Sequence, residues 1–379
     1  MMQSYAVDAS CILNPNATGI GCYTRNLVVA LEQLYRTEQQ QRELVLVYRA
    51  GHWRNRGLLP KGAHLCPQIW HKNLYPRWPR YASVLCPELR MPHWPGVGRV
   101  GVIHDLHAVL GLNCSDQRLR QRSIAQMRDY VTEADQLIFV SRHVSEEFFA
   151  HFDFPRERGH VIHHGVGPEF RPHSKDETAA LRARHGLQRP YFLWTGMPRP
   201  SKNLERLLQA FAAADGVKDH DLVICGDHCE GRRIELEGSI ARLGLSARVH
   251  LPGYLPHAEM PPLFAAARAY LFPSLHEGFG IPILEAMASG TPVLTSNSSA
   301  CPEAAGGHAL LVDPGSVDDI AGGIEAAAAM SAERIAAARA YAATKTWTET
   351  ARKTLGVLEQ AVAVAAPARR PGAASASLV

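Results

Sequence analysis

Short apolar runs ending in Gly, Ser or Asp alternate along this chain with amphipathic stretches. In the first half, Tyr5–Asp8, Leu44–Tyr48, Val100–His104, Leu137–Ser141 and His160–His163 have strand length. Helical spacing follows several of them, at Gly21–Leu34, Arg118–Ala134 and Ser145–Phe152. The rhythm then repeats. Strand runs stand at Tyr191–Thr195, Leu222–Cys225, Val249–Leu251, Ala269–Phe272, Pro292–Thr295 and Ala309–Val312, with helices such as Asn203–Ala214 and Glu230–Leu243 between them. This alternation predicts parallel sheets with crossover helices. Two such blocks predict an α/β protein of two doubly wound domains. The join is expected in Phe170–Leu187, a polar stretch holding Pro172 and a short charged helix. Ligands of such sheets bind outside the carboxyl ends of the strands. The loops after Asp8, Val102, Phe139, Thr195, Ile224, Leu251 and Phe272 are therefore where chemistry is expected. The Ala/Pro/Ser-rich tail, 367–379, reads as disordered.

Length agrees with this reading, because 379 residues suit two domains better than one core. With 46% apolar and 20% charged residues the composition is that of a globular chain. The formal charge of +4 carries no nucleic-acid signature. Eight cysteines (11, 22, 66, 86, 114, 225, 229, 301) lack paired spacing, which suits reduced thiols in a cytoplasmic protein. The start has no signal-peptide pattern, and no apolar run approaches the roughly 20 residues that cross a bilayer. Charge is uneven, however. From Arg49 to Arg99 there are nine Lys/Arg against one acid, Glu88, and four of the six tryptophans (53, 70, 78, 94). Basic residues mixed with Trp are what an anionic membrane surface or a lipid-linked substrate would meet. The competing reading is a proline-rich surface region whose tryptophans pack inward.

Three stretches carry candidate chemistry. "TGIGCYTRN", from Thr18, follows the first strand and opens a helix, so Gly19 and Gly21 let backbone approach an anion. "TGMPRPSKNLERLLQAF", from Thr195, places Gly196 at a strand end and Arg199 and Lys202 before a helix, a pocket for a phosphate dianion. "SLHEGFGIPILEAMASG", from Ser274, puts Glu277 in a loop at a carboxyl edge. Gly278, Phe279 and Gly280 follow, then a helix starting near Ile281 that carries Glu285 in apolar surroundings. A carboxylate there needs donors, and a ribose diol offers two hydroxyls. His104 ends another strand. Cys225-Gly-Asp-His228-Cys229 lacks a second ligand pair for zinc, and Asp219-His-Asp221 precedes a strand and reads as a solvated loop. No metal site is expected.

These motifs resemble the retaining glycosyltransferases of family 4, over nearly the whole chain. The matching segments are "GIGCYT", "VIHDLH", "VSRHVSEEF", "VIHHGVGPEF", "PRPSKNLERLLQAF", "LVICGD", "RVHLPGYLP" and "FPSLHEGFGIPILEAMASGTPV". The resemblance implies the GT-B fold, two Rossmann-like domains facing across a cleft. Residues 1–170 would bind acceptor and be completed by a returning helix near 346–365 containing Trp347. Residues 187–345 would bind a nucleotide-sugar donor. It also implies roles. Lys202 would meet the donor diphosphate, Glu285 the ribose, Glu277 and the amides of Gly278, Phe279 and Gly280 the sugar and phosphate, and His104 a sugar hydroxyl. Glu277, His104 and Lys202 would be the catalytic set. Gly19, Gly21, Gly196, Arg199, Tyr254 and Leu255 complete the donor contacts, and His164, where relatives often carry Asn, has no assigned role.

The implied reaction is metal-independent transfer of a hexose with retention, with no cofactor beyond the co-substrate. "HEGFGIP" is similar to mannosyl- and rhamnosyltransferases of bacterial O-antigen and exopolysaccharide assembly. The donor expected is GDP-mannose or GDP-D-rhamnose, with UDP- or dTDP-sugars as alternatives. The acceptor expected is a polyprenyl-diphosphate-linked saccharide, met at the inner face of the plasma membrane through residues 49–99. A sugar-nucleotide epimerase of the same fold is the more distant alternative. A dinucleotide oxidoreductase fails, since Thr24 stands where the third glycine of Gly-x-Gly-x-x-Gly belongs.

Overall fold

The computed structural model describes residues 4–14, 19–37, 43–60, 64–68, 81–92, 94, 96–112, 116–226 and 230–365. The chain divides into two compact units, residues 1–164 with 347–379, and residues 165–346.

The first unit is built on seven parallel strands: β1 (Ser4–Asp8), β2 (Leu44–Arg49), β3 (His64–Gln68), β4 (Tyr81–Cys86), β5 (Gly98–Ile103), β6 (Gln136–Phe139) and β7 (Gly159–Val161). Their order is β3-β2-β1-β4-β5-β6-β7, and every pairing is parallel. The second unit holds β8 (Tyr191–Thr195), β9 (Asp221–Cys225), β10 (Val249–Gly253), β11 (Ala269–Phe272), β12 (Val293–Ser296) and β13 (Leu310–Val312), ordered β10-β9-β8-β11-β12-β13. These too are all parallel. Parallel strands are covered on both faces, so central ones read as unbroken apolar runs. Tyr-Phe-Leu-Trp-Thr of β8 is buried at every position. In both sheets the winding reverses between the first strand and the fourth, β1/β4 and β8/β11, which is where such sheets leave a crevice at their carboxyl edge.

Two strands were not expected. β4, "YASVLC", is buried throughout and lies between β1 and β5, at the centre of the first sheet. It falls inside the basic, Trp-rich span, where flanking prolines and charges hide a six-residue run. That span is therefore not one surface segment. Arg49 pairs with Glu88 at 3.2 Å, and Arg99 with Glu133 and Asp135 at 2.5 and 3.3 Å, so part of its charge is neutralised locally. Trp94 packs on Tyr81, ring centroids 5.6 Å apart. Trp70, Trp78 and the tail 367–379 lie outside the described residues. Among the described residues no helix is long and apolar enough to cross a membrane.

The join also differs from expectation. The first unit ends at His164 rather than residue 170, and the second begins at Gly165 rather than 187. Val166 N–H donates to the Lys345 carbonyl at 2.9 Å, and the helix Lys175–Arg184 packs on the helix Met260–Ala266. Those contacts bind the polar stretch into the second unit. The helix Trp347–Ala365 returns to the first unit as expected and packs on the helix Gly19–Thr37 and on β4 and β5. Its backbone comes so close to β5 that a Cβ on Gly98 would lie 2.6 Å from the backbone carbonyl of Ala361. Gly98→Ala should therefore lower stability by about 1–3 kcal/mol, read as a reduced urea midpoint. An unchanged midpoint would contradict this packing.

Candidate active site

The loops after β8 and β11 meet at the switch point of the second sheet. After β8 a short turn, Pro200–Lys202, leads to Asn203, whose φ of 58° is left-handed. Asn tolerates that conformation better than most residues. Its side-chain amide donates to the Pro273 and Pro314 carbonyls at 2.9 and 2.7 Å, tying together the loops that follow β8, β11 and β13. Leu275 N–H donates to the Ser201 carbonyl at 2.7 Å. So fixed, Lys202 Nζ sits 2.6 Å from Glu277 Oε1 and 5.0 Å from the centroid of the Phe272 ring. Lys202 is 20% exposed and Glu277 9%. Glu277 N–H in turn donates to Ser299 Oγ at 2.9 Å, and Ser299 is itself left-handed, φ 53°. The sequence offered Lys202 and Glu277 separately; that they pair, and that Asn203 and Ser299 hold them, follows from the fold. Asn203 next to Lys202 at a helix start was the one visible hint.

Beyond Glu277 the chain turns through Gly280, whose φ of 98° disfavours any other residue, into the helix Ile281–Ala288. Pro282 occupies the first turn, where its missing N–H costs nothing. Glu285 follows one turn in. Part of its side chain meets solvent while its carboxyl group sits deep, and burial pushes its pKa up to about 7. Glu169 adds to the rise and His257 opposes it. Among the described residues no hydrogen bond or ion pair reaches this carboxylate.

The remaining candidates are distributed as follows. Gly196 ends β8, Tyr254 and Leu255 follow β10, and Gly278 and Phe279 lie in the loop with Glu277. All belong to the second unit. Tyr254 is 58% exposed, whereas Leu255 and Phe279 are buried. Arg199 is exposed and has no ion pair among the described residues. Asp221 is not in a solvated loop: it opens β9, is buried, and lies 2.9 Å from His250 Nε2. Cys229 and His228 lie outside the described residues.

Gly19, Gly21 and His104 belong to the first unit. Gly19 and Gly21 form the first turn of the helix Gly19–Thr37, and a side chain on Gly19 would meet open space. His104 follows β5 and packs edge-on against Tyr23, centroids 4.8 Å apart. Tyr23 also contacts His164 and Trp347, at 4.9 and 5.8 Å. This aromatic cluster explains the burial of His164, a residue for which the sequence offered no role. His104 bonds to the Pro87 backbone, which as a proline offers only its carbonyl. Nε2 has no partner among the described residues, so the bond runs from Nδ1–H and leaves Nε2 an acceptor. Burial lowers the His104 pKa to about 4, so the ring is neutral near neutral pH.

The comparisons with known proteins bear on this arrangement directly. Residues 178–346 match the family model described as glycosyl transferases group 1. The matched stretch lies within the second unit and contains Lys202, Glu277 and Glu285. The O-antigen chain mannosyltransferase B of Escherichia coli is 30% identical over 207 residues, 54% of this chain and 53% of that protein. The match thus spans about half the length of that relative. Over the whole chain the similarity is one of fold. Sucrose-phosphate synthase from Thermosynechococcus elongatus superposes with a TM-score of 0.72 at 20% identity, covering 95% of this chain and 99% of that one. Anabaena Alr3699/HepE, in complex with UDP and glucose, gives 0.71 at 18% identity, covering 95% and 100%. The α/β fold of two Rossmann-like units expected from the motifs is therefore the GT-B fold of glycosyltransferases.

Proposed function

We propose that this protein is a hexosyltransferase that moves mannose or D-rhamnose from a GDP-sugar onto a lipid-linked saccharide during cell-surface polysaccharide assembly. The Lys202–Glu277 pair carries the reading, because it joins two loops at the switch point of a group 1 domain. A diphosphate arriving there would take Lys202 Nζ as its counter-charge and free Glu277 for hydroxyls of the sugar. Glu285, a deep carboxylate that no hydrogen bond reaches among the described residues, suits a ribose diol. We assign the backbone of Gly278, Phe279 and Gly280, the loop between Glu277 and the helix of Glu285, to the donor's sugar and phosphate. The relative named for O-antigen chain mannosyl transfer favours mannose, while the UDP and glucose of the Anabaena protein keep UDP-sugars as the second reading.

In the step we favour, the bond from the sugar's C1 to the diphosphate oxygen breaks and its electron pair leaves with the phosphate. The acceptor oxygen attacks the same face, and its proton passes to the departing phosphate. The product keeps the donor's anomeric configuration. Lys202 and the loop amides stabilise the charge that builds on the leaving group. We assign His104 Nε2, an acceptor without a partner among the described residues, to a hydroxyl of a bound substrate. In this reading the reaction runs at a membrane surface, which the exposed Arg54, Arg56 and Arg90 support as cations that could meet anionic headgroups.

The test is a panel of GDP-, UDP- and dTDP-sugars offered with membrane extract and with EDTA-treated enzyme. Transfer from GDP-mannose or GDP-rhamnose, undiminished by EDTA and giving an axial product anomer by NMR, is expected. An inverted anomer, a glycosyl adduct on Glu277, or conversion of the sugar nucleotide without acceptor would overturn it. A further outcome concerns acid. His104→Gln should slow transfer about tenfold, yet leave an acid limb near pH 7 in place, because that limb belongs to Glu285.

A further inference from the structure

Near Glu285 stands a second carboxylate that the motifs do not mark. Glu169 follows the start of the second unit, and its Oε1 lies 3.0 Å from His257 Nε2, on the loop after β10. The Phe170 ring packs against both His257 and Phe264, centroids 5.9 and 5.8 Å away, and pins the segment. The carboxyl group folds back over Gly167, where a Cβ would collide with it. Glu169 is nevertheless 39% exposed. The hydrogen bond from His257 holds it ionised, below the usual carboxylate range. Besides His257, its own backbone N–H is its one hydrogen-bond partner among the described residues, and the side chain stays partly open to solvent.

Two carboxylates in one neighbourhood repel each other, and each accepts hydrogen bonds only. A ligand that satisfies both must be rich in donors. A ribose supplies its diol to Glu285. Among nucleobases, guanine alone presents two adjacent donors, N1–H and the N2 amino group, which match a carboxylate bidentately. Uracil and thymine offer one N–H between two carbonyl oxygens, which a carboxylate repels. Adenine offers its donor beside an acceptor nitrogen. We infer that Glu169, held by His257, reads the N1–H/N2–H₂ edge of guanine and selects a guanosine diphosphate sugar. This rests on the nucleotide-sugar reading of the same domain and names its base.

The experiment measures dissociation constants of GDP, IDP and UDP by calorimetry on the full chain. IDP differs from GDP only in lacking the N2 amino group. The wild-type protein should bind GDP about tenfold or more tightly than IDP and UDP. Glu169→Gln should bring the GDP/IDP ratio close to one and leave UDP affinity unchanged. His257→Ala should weaken the discrimination, and His257→Gln, which can still donate, should restore it. Glu285→Ala is the control for the underlying reading and should weaken all three nucleotides alike. Equal GDP and IDP affinity in the wild type, or equal losses for all three nucleotides in Glu169→Gln, would overturn the inference while leaving the ribose site standing. Failure of Glu285→Ala to weaken any nucleotide would instead sink the site itself, and the inference with it.

Discussion

Lys202→Ala should lower kcat/KM by about 10²- to 10³-fold, the loss usual when a positioned donor to a developing anion is removed. In the proposed reaction Lys202 supplies positive charge to the leaving diphosphate, so the loss should fall on kcat as well as KM. The same change leaves the buried Glu277 with no counter-charge, which costs about 2–3 kcal/mol of stability. The two effects separate in the double variant Lys202→Met/Glu277→Gln. Removing both charges should recover most of the stability without recovering activity. Urea midpoints and steady-state rates on the three proteins check this. Activity that returns with stability would make the pair a structural device rather than part of the donor site.

Glu285→Ala carries the second large effect. A carboxylate accepting two hydroxyls of a ribose contributes charge-assisted hydrogen bonds, so donor affinity should fall about 10- to 100-fold. The pH dependence is the sharper signature. Burial raises the Glu285 pKa from the ordinary 4.5 to about 7. The ligand-free fold therefore keeps the full stability of the neutral acid below about 4.5. It loses that stability as pH rises toward about 7, because the unfolded chain ionises first. Glu285→Gln cannot ionise, so its stability should gain on the wild type across this window and then run parallel. Donor affinity should move the opposite way in the wild type, rising with pH and levelling above about 7, since the ionised form is the better acceptor. Urea unfolding and calorimetry across pH 4 to 9 measure both. A donor affinity independent of pH in the wild type would remove Glu285 from the ribose.

Much of this was legible in one dimension. Parallel strands buried on both faces give unbroken apolar runs, so eleven strands stood out, and the two-block rhythm disclosed two sheets. The left-handed glycine before Ile281 and the proline after it marked the helix that carries Glu285. β4 stayed hidden, because a strand in the middle of a sheet can be as short as "YASVLC" and sit among prolines and basic residues. One neighbour, β1, lies far away in sequence, and only pairing with it and with β5 reveals the strand. Asp221 misled for a related reason. An acid just before a strand reads as solvated loop, and the His250 that meets it stands on a neighbouring strand.

The sequence by itself determined where the candidate residues stand, since Lys202, Glu277, Glu285 and His104 fall at strand ends and helix starts whatever the packing. Tertiary structure decided their partners. Lys202 meets Glu277 across 75 positions of chain, Glu169 meets His257 across 88, and Thr350 bonds to His163 across 187. A parallel sheet imposes this, because each crossover carries the chain away for a helix before it returns beside its neighbour. Side-chain identity is local information. Which charge neutralises which, and which carboxylate is left waiting for a donor, is decided where the strand ends converge.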